Sequence, residues 1–355
     1  MKELTSYERM KRMYDHKEAD RIPFLDNPWN STLERWHKEG MPENVEWQDY
    51  FGVDKAAGFG VDNSPRYESK TIEENDEYRI FTTNWGATMK DFKHSATVPE
   101  FLSFRVDSRE TWNEAKERMK PSDDRIDWDK LKKNYRQWKK DGLWIGAAFW
   151  FGFDVAHSWM VGTERFLMWM VEDPELCVDI FNTYLDLDLI LFQKIWDAGY
   201  KFDSIGWPDD MGYKQNQFFS LSMYRELLKP VHKRAADWGH QKGVKVSMHS
   251  CGDINPLIPE LIEIGIDCLH PIEVKAGMDP IHIKKTYGDK LVLHGGINVL
   301  SYSNPDTLRA EMRRVVPEMK KGGGYIFGSD HSIPSDLSLK DMKEIVALCK
   351  EIGKY

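Results

Sequence analysis

No stretch of this 355-residue chain approaches the ~20 consecutive apolar residues that cross a bilayer. The opening residues, Met1-Lys2-Glu3-Leu4-Thr5, form no apolar signal core. The expectation is a chain without a membrane span or a secretory leader. Cysteine is scarce: four residues, at 177, 251, 268 and 349, too scattered for a disulfide framework, which points to a reduced, cytoplasmic protein. Basic residues are outnumbered, 49 Lys and Arg against 58 Asp and Glu. A net charge of -9 argues against a nucleic acid or an anionic membrane as partner. No Gly-x-Gly-x-x-Gly follows an apolar run and no Gly-x4-Gly-Lys-Ser/Thr occurs, which excludes the usual nucleotide cradles. A Gly-x-Ser-x-Gly elbow is also missing. Gly322-Gly323-Gly324 reads as a helix stop, not a phosphate loop.

Apolar residues are plentiful at 41%, enough for a large core. Short apolar runs at 22–26, 56–61, 143–149, 203–207, 244–249, 267–271, 291–295 and 325–328 alternate with amphipathic segments such as 223–242, 256–264 and 306–321. Strand–helix alternation predicts a parallel sheet, and eight such units a closed (β/α)8 TIM barrel of the α/β class. Residues 62–142 do not fit one repeat. They contain a hairpin-like stretch at 70–92 with Glu74-Asn75-Asp76-Glu77 as its turn, and read as an insertion after the second strand of a single domain covering 1–355.

Barrel enzymes gather their chemistry at the carboxyl ends of strands. Here those ends read Asp26-Asn27, Trp207-Pro208-Asp209-Asp210, His249-Ser250-Cys251, His270-Pro271-Ile272-Glu273, His294-Gly295-Gly296 and Ser329-Asp330-His331. A purely structural barrel has no reason to concentrate such groups there. Side chains two apart on extended backbone point the same way, so His249 and Cys251 both face one site, as zinc chemistry asks. A buried imidazole and a small core thiol are the plainer alternative. His331 is the candidate third ligand and Glu273 the fourth, with Asp330 a fallback ligand or a hydrogen-bond partner of a ligand imidazole. Asp209 and Asp210 are expected to orient substrate, with Asp26 as a further catalytic candidate; loop capping is the alternative for the acidic pair. Asn27, Trp207 and His294 complete the expected substrate lining.

Tryptophan is frequent, 14 residues, and the run Phe149-Trp150-Phe151-Gly152-Phe153 directly follows an apolar strand segment. A loop has little core to fill. Several of Phe149, Trp150, Phe151, Phe153 and Trp159 are therefore expected to wall a cleft, with Trp150 and Phe151 on substrate. Cys177, Cys268 and Cys349 read as core thiols.

Longer matches extend along most of the chain. They are Asp20-Arg21-Ile22-Pro23-Phe24, Tyr78-Arg79-Ile80 with Trp85-Gly86, Asp209-Asp210-Met211-Gly212, Leu228-Lys229-Pro230, Lys245-Val246-Ser247-Met248-His249-Ser250-Cys251-Gly252, Ile264-Gly265-Ile266-Asp267 and Gly323-Gly324-Tyr325-Ile326-Phe327. By these the chain resembles the uroporphyrinogen decarboxylase superfamily, and within it the cobamide-dependent methyltransferase branch. The resemblance implies the (β/α)8 fold independently of the strand count. True porphyrinogen decarboxylases carry Arg-Gln-Ala-Gly-Arg after the first strand; this chain has Leu25-Asp26-Asn27-Pro28-Trp29-Asn30 and so lacks those cationic partners for substrate carboxylates.

The methyltransferase branch implies zinc held by His-x-Cys, matched by His249 and Cys251, and by a distant third ligand, usually Cys. That position falls within Gly328-Ser329-Asp330-His331-Ser332-Ile333-Pro334, where His331 stands instead. The implied activity is zinc-dependent transfer of a methyl group between a small methylated substrate or thiol acceptor and a corrinoid. The aromatic run favours a methoxylated ring as donor. No Asp-x-His-x-x-Gly corrinoid signature is present, so the cobamide is expected on a separate partner protein. Two alternatives stand beside this: a metal-independent decarboxylase with Asp26 or His331 as proton donor, and a module that binds a corrinoid or tetrapyrrole without chemistry.

Overall fold

The computed structural model describes residues 3–94 and 99–355. Met1 and Lys2 of the N-terminal stretch, and residues 95–98 of the expected insertion, lie outside the described residues. Strand β1 (Ala56–Gly60) leads into β2 (Thr71–Glu74), β3 (Tyr78–Thr82), β4 (Ala87–Phe92) and β5 (Glu100–Phe104). Then follow β6 (Trp144–Ala148), β7 (Ser204–Pro208), a small hairpin β8 (Gly212–Tyr213) and β9 (Asn216–Gln217), β10 (Lys245–His249), β11 (Cys268–His270), β12 (Val292–His294) and β13 (Tyr325–Ile326). Seven of these form one curled sheet in the order β1-β6-β7-β10-β11-β12-β13, with every neighbouring pair parallel. Helices supply the crossovers that parallel strands require.

The first expected strand, 22–26, is reduced to one parallel bridge between Phe24 and Phe327. Leu25 N–H donates to the Phe327 carbonyl and Phe327 N–H to that of Pro23. Pro23 has no N–H of its own, which limits the ladder this segment can build. A side chain takes over across the seam to β1. Asp54, just before β1, is fully buried and accepts from Phe24 N–H (3.0 Å), Arg21 (2.5 Å), Arg9 (2.9 Å) and Ser6 (3.0 Å).

The amino end of the sheet is covered by the helix Ser6–Tyr14, started by a reciprocal capping box of Thr5 and Glu8. Met10, Met13 and Tyr14 pack there against Trp144, Cys268 and Val292, the first residues of β6, β11 and β12. The insertion is a four-stranded antiparallel sheet, β2-β3-β4-β5, two strands more than the expected hairpin. Ala87 and Met89 alternate inward along β4, giving the sheet a buried face. The turn falls where expected, with the Asn75 carboxamide oxygen accepting from Glu77 and Tyr78 N–H. Segment 223–242 is not one uniform helix. A π-helical turn at Tyr224–Leu228 precedes the helix Lys229–Gln241, because Pro230 supplies no N–H. Among the described residues no helix is long and apolar enough to cross a membrane.

Candidate metal centre

Three side chains converge at the carboxyl ends of β7 and β10. One donor atom each from Asp210, His249 and Cys251 lies within 4.8 Å of the others. His249 Nε2 is 3.3 Å from Cys251 Sγ and 3.5 Å from Asp210 Oδ1. Two ligands of a tetrahedral zinc, at ~2.0–2.3 Å from the ion, stand about 3.3–3.8 Å apart. Both distances from His249 fall in that range.

The local backbone explains why Asp210 reaches the pair. Gly212 and Gly252 bring the loops after β7 and β10 into backbone contact, and Gly252 adopts φ +85°. Asp253 N–H donates to the Tyr213 carbonyl (2.9 Å) across this contact. Asp210 Oδ1 then accepts Cys251 N–H at 2.8 Å, and Glu273 accepts Gly252 N–H at 2.5 Å. Burial pushes the Cys251 thiol far above its ordinary value, and the charges of Asp210 and Glu273 push it further. A thiolate at this position thus requires a compensating cation, which a metal ion supplies. Burial likewise pushes His249 and His270 down, and His294 down to about 4, so that neutral imidazoles line the site.

The third donor differs from expectation. Asp210, expected on substrate, is within reach of the pair. His331 is not in that group: its ring stacks on Trp29, with centroids 5.5 Å apart. Asp330 is fully buried and binds Val299 N–H (2.7 Å) and Lys275 N–H (3.3 Å), so it anchors two loops. Glu273 also stands outside the group, its carboxylate bonded to Gly252 N–H and paired with Lys275 at 3.4 Å.

Asp209 does not face the cleft either. It is fully buried, with one oxygen 2.7 Å from His232 Nε2 and the other accepting Asp154 N–H at 2.7 Å. Asp26 accepts both Ser329 N–H (2.7 Å) and its hydroxyl (2.9 Å), and burial lifts its carboxyl to about 7. Asn27 is exposed, its carbonyl accepting Ile333 N–H. Of the expected aromatic wall, the three phenylalanines lie in the core. Phe149, Phe151 and Phe153 are completely buried, and Phe151 packs on Trp207 and His232. Trp150 and Trp159 are half-buried and pack on each other, while Trp207 is 2% exposed. Phe149 stacks on Phe192 of the helix Pro174–Asp197, so the run enters the helix layer.

The sequence puts His270 at a strand end but gives it no role. It ends β11, and the register places it beside His249; Asp154, at the start of the π-helical turn Val155–Val161, left no sequence signal. Burial raises the Asp154 carboxyl to about 7, with Asp210 and Asp209 adding to it.

Residues 152–352 match the sequence profile of the family described as Uroporphyrinogen decarboxylase (URO-D), and the chain belongs to that family. Its relatives extend to methyl transfer. A methylated-thiol–coenzyme M methyltransferase of Methanosarcina mazei is 22% identical over 192 residues, 54% of this chain and 49% of that protein. The match thus spans about half the length of that relative. A solved structure of a methyltransferase from Methanosarcina mazei superposes over 98% of this chain and 99% of its own, with TM-score 0.67 at 15% identity. That likeness establishes the shared α/β barrel fold.

Proposed function

We propose that this chain is a zinc-dependent methyltransferase, moving a methyl group between a small methylated substrate or thiol acceptor and a corrinoid carried by a separate protein. The convergence of Asp210, His249 and Cys251 at the carboxyl ends of the strands is the observation that carries the reading. These three would hold the ion, with a fourth position left to substrate. When bound, zinc would supply the Lewis acidity that keeps a substrate thiol deprotonated or polarises the heteroatom bearing the methyl group. A cleft of about 410 Å³ beside Cys251, lined by Tyr213, Lys214, Glu273, Lys275 and Leu300, would receive the substrate. Its two lysines favour a small thiol with an anionic end. Membership of the family and the methylated-thiol methyltransferase among the relatives support the same class. With Phe149, Phe151 and Phe153 in the core, Trp150 and Trp159 are the rings of that run left to receive a methoxylated donor. We read residues 1–355 as one barrel unit, with 62–142 as its insertion.

Metal analysis of protein purified without added zinc is expected to find near-stoichiometric zinc. Methylated thiols are expected to change the absorbance of cob(I)alamin or of a corrinoid protein as the methyl group moves. Metal-free protein that forms coproporphyrinogen and carbon dioxide from uroporphyrinogen would sink this reading in favour of the decarboxylase.

A further inference from the structure

Three histidines end three consecutive strands of the sheet. Ser247, Met248 and His249 of β10 pair with Cys268, Leu269 and His270 of β11, and Cys268 and Leu269 pair with Val292 and Leu293 of β12. One further step brings His270 beside His294. In a parallel ladder residues in register share a face, so the three imidazoles form a row along the inner wall. Their ring centroids are 4.9 Å apart between His249 and His270 and 4.4 Å between His270 and His294. They border a cavity of about 420 Å³ within the barrel.

The contacts along the row decide where protons sit. His294 Nε2 is 2.9 Å from the Leu25 carbonyl, which only accepts, so this nitrogen carries the hydrogen. His249 Nδ1 and His270 Nδ1 are 2.8 Å apart, a hydrogen bond that needs one N–H and one lone pair. The other nitrogen of His249 points at Cys251 and Asp210. To bind a cation it must offer its lone pair, which places the His249 hydrogen on Nδ1 and makes His270 Nδ1 the acceptor.

We infer that His270 is a positioning residue. It accepts the hydrogen bond that fixes His249 in its metal-binding tautomer and ring orientation, and it is backed in the row by His294, tied to the barrel seam at Leu25. This inference rests on the metal reading proposed above. A carboxylate or backbone carbonyl more often serves such a ligand imidazole; here a neighbouring strand supplies a neutral ring.

Asn and Leu have nearly the same shape, and the Asn carboxamide oxygen occupies the place of His Nδ1. His270→Leu and His270→Asn therefore separate acceptor from packing. Zinc affinity is read by competition with a chromophoric chelator, and the ligand field by the absorption of cobalt-substituted protein. His270→Leu is expected to bind zinc about 10–100-fold more weakly, with altered cobalt bands, and His270→Asn to stay within about 3-fold of the parent. Equal affinities in both variants, whether lowered or unchanged, would overturn the role of the acceptor. Should His270→Leu fold poorly, 15N spectra of histidine-labelled parent protein decide the matter: a hydrogen on Nε2 of His249 refutes the tautomer. Parent protein that takes up no zinc ends the metal reading and this inference together. Parent binding with unaffected variants ends this inference alone.

Discussion

Gly252 sits at φ +85°, and a Cβ there would fall on the backbone of Gly212 and Tyr213. That close approach carries Asp210 to Cys251. Gly243 has a similar φ of +71°, but a Cβ at that position would meet nothing within 4 Å, so it isolates the cost of conformation alone. Gly243→Ala is expected to cost about 1 kcal/mol in urea unfolding, the left-handed strain by itself. Gly252→Ala should cost several-fold more and release the metal, because the two loops must part. The same geometry separates Asp210 from His331. Asp210→Ala should weaken zinc binding at least about 10-fold in chelator competition, whereas His331→Ala, removing a ring stacked on Trp29, should leave it nearly unchanged. Loss of zinc with His331→Ala alone would restore the ligand set expected from the sequence.

At the scale of elements, the seam between residues 22–26 and β1 is held by a carboxylate instead of a continuous ladder. Asp54 accepts from the backbone of Phe24 and from Arg21, Arg9 and Ser6, with no solvent access. Removing one partner of such a buried pair costs about 3–5 kcal/mol, because the cations left behind lose their counter-charge. Asp54→Ala should lower unfolding stability by that amount. Thr5→Ala, which removes one cap of the helix Ser6–Tyr14, should cost only about 1 kcal/mol. Chemical denaturation of the two variants checks the ranking; equal losses would mean that the seam is held by something other than Asp54. Most strands were legible because their apolar runs are short and bounded by polar residues. The segment at 22–26 was overread, since its pattern is strand-like and only Pro23 warns against a ladder.

For the molecule as a whole, buried carboxyls set the dependence of stability on pH. Asp188 is completely buried, accepts from Asn63 (2.8 Å) and from Trp150 N–H (2.8 Å), and burial raises it to about 8. Asp26 stands at about 7 for the same reason. Both bind a proton more tightly folded than unfolded, where an aspartate titrates near ~3.9. Their contribution is complete below that value and is lost as pH rises through 7 to 8. Asp20 runs the other way. Burial raises it, but hydrogen bonds from Arg9 and Leu4 N–H prevail and hold it at about 2, so its contribution is present above ~3.9 and lost as pH falls through 2. The buried histidines, whose pKa values burial lowers, act in the opposite sense only below their ordinary value of ~6.5, so the melting temperature of chelator-treated protein should fall from pH 7 to pH 9. Asp188→Asn should flatten that decline while lowering stability at pH 5 by about 1 kcal/mol for the mispaired amide. An unchanged slope in the variant would place the titration elsewhere.

The alternation of short apolar runs with amphipathic helices was enough to determine the α/β class, because burial on both faces of a parallel strand writes itself into local hydrophobicity. His249 and Cys251 were conspicuous for an equally local reason, since two residues apart on a strand fixes a shared direction. Tertiary structure alone decided the rest of the candidate centre. Asp210 joins through a contact between loops about forty residues apart in sequence, made possible by two glycines whose partners no local pattern names. His270 becomes visible only once strand register is known, and register is a property of the assembled sheet. The aromatic run shows the converse: its composition was plain, but whether Phe151 met the cleft or the core depended on which surface the helices left uncovered.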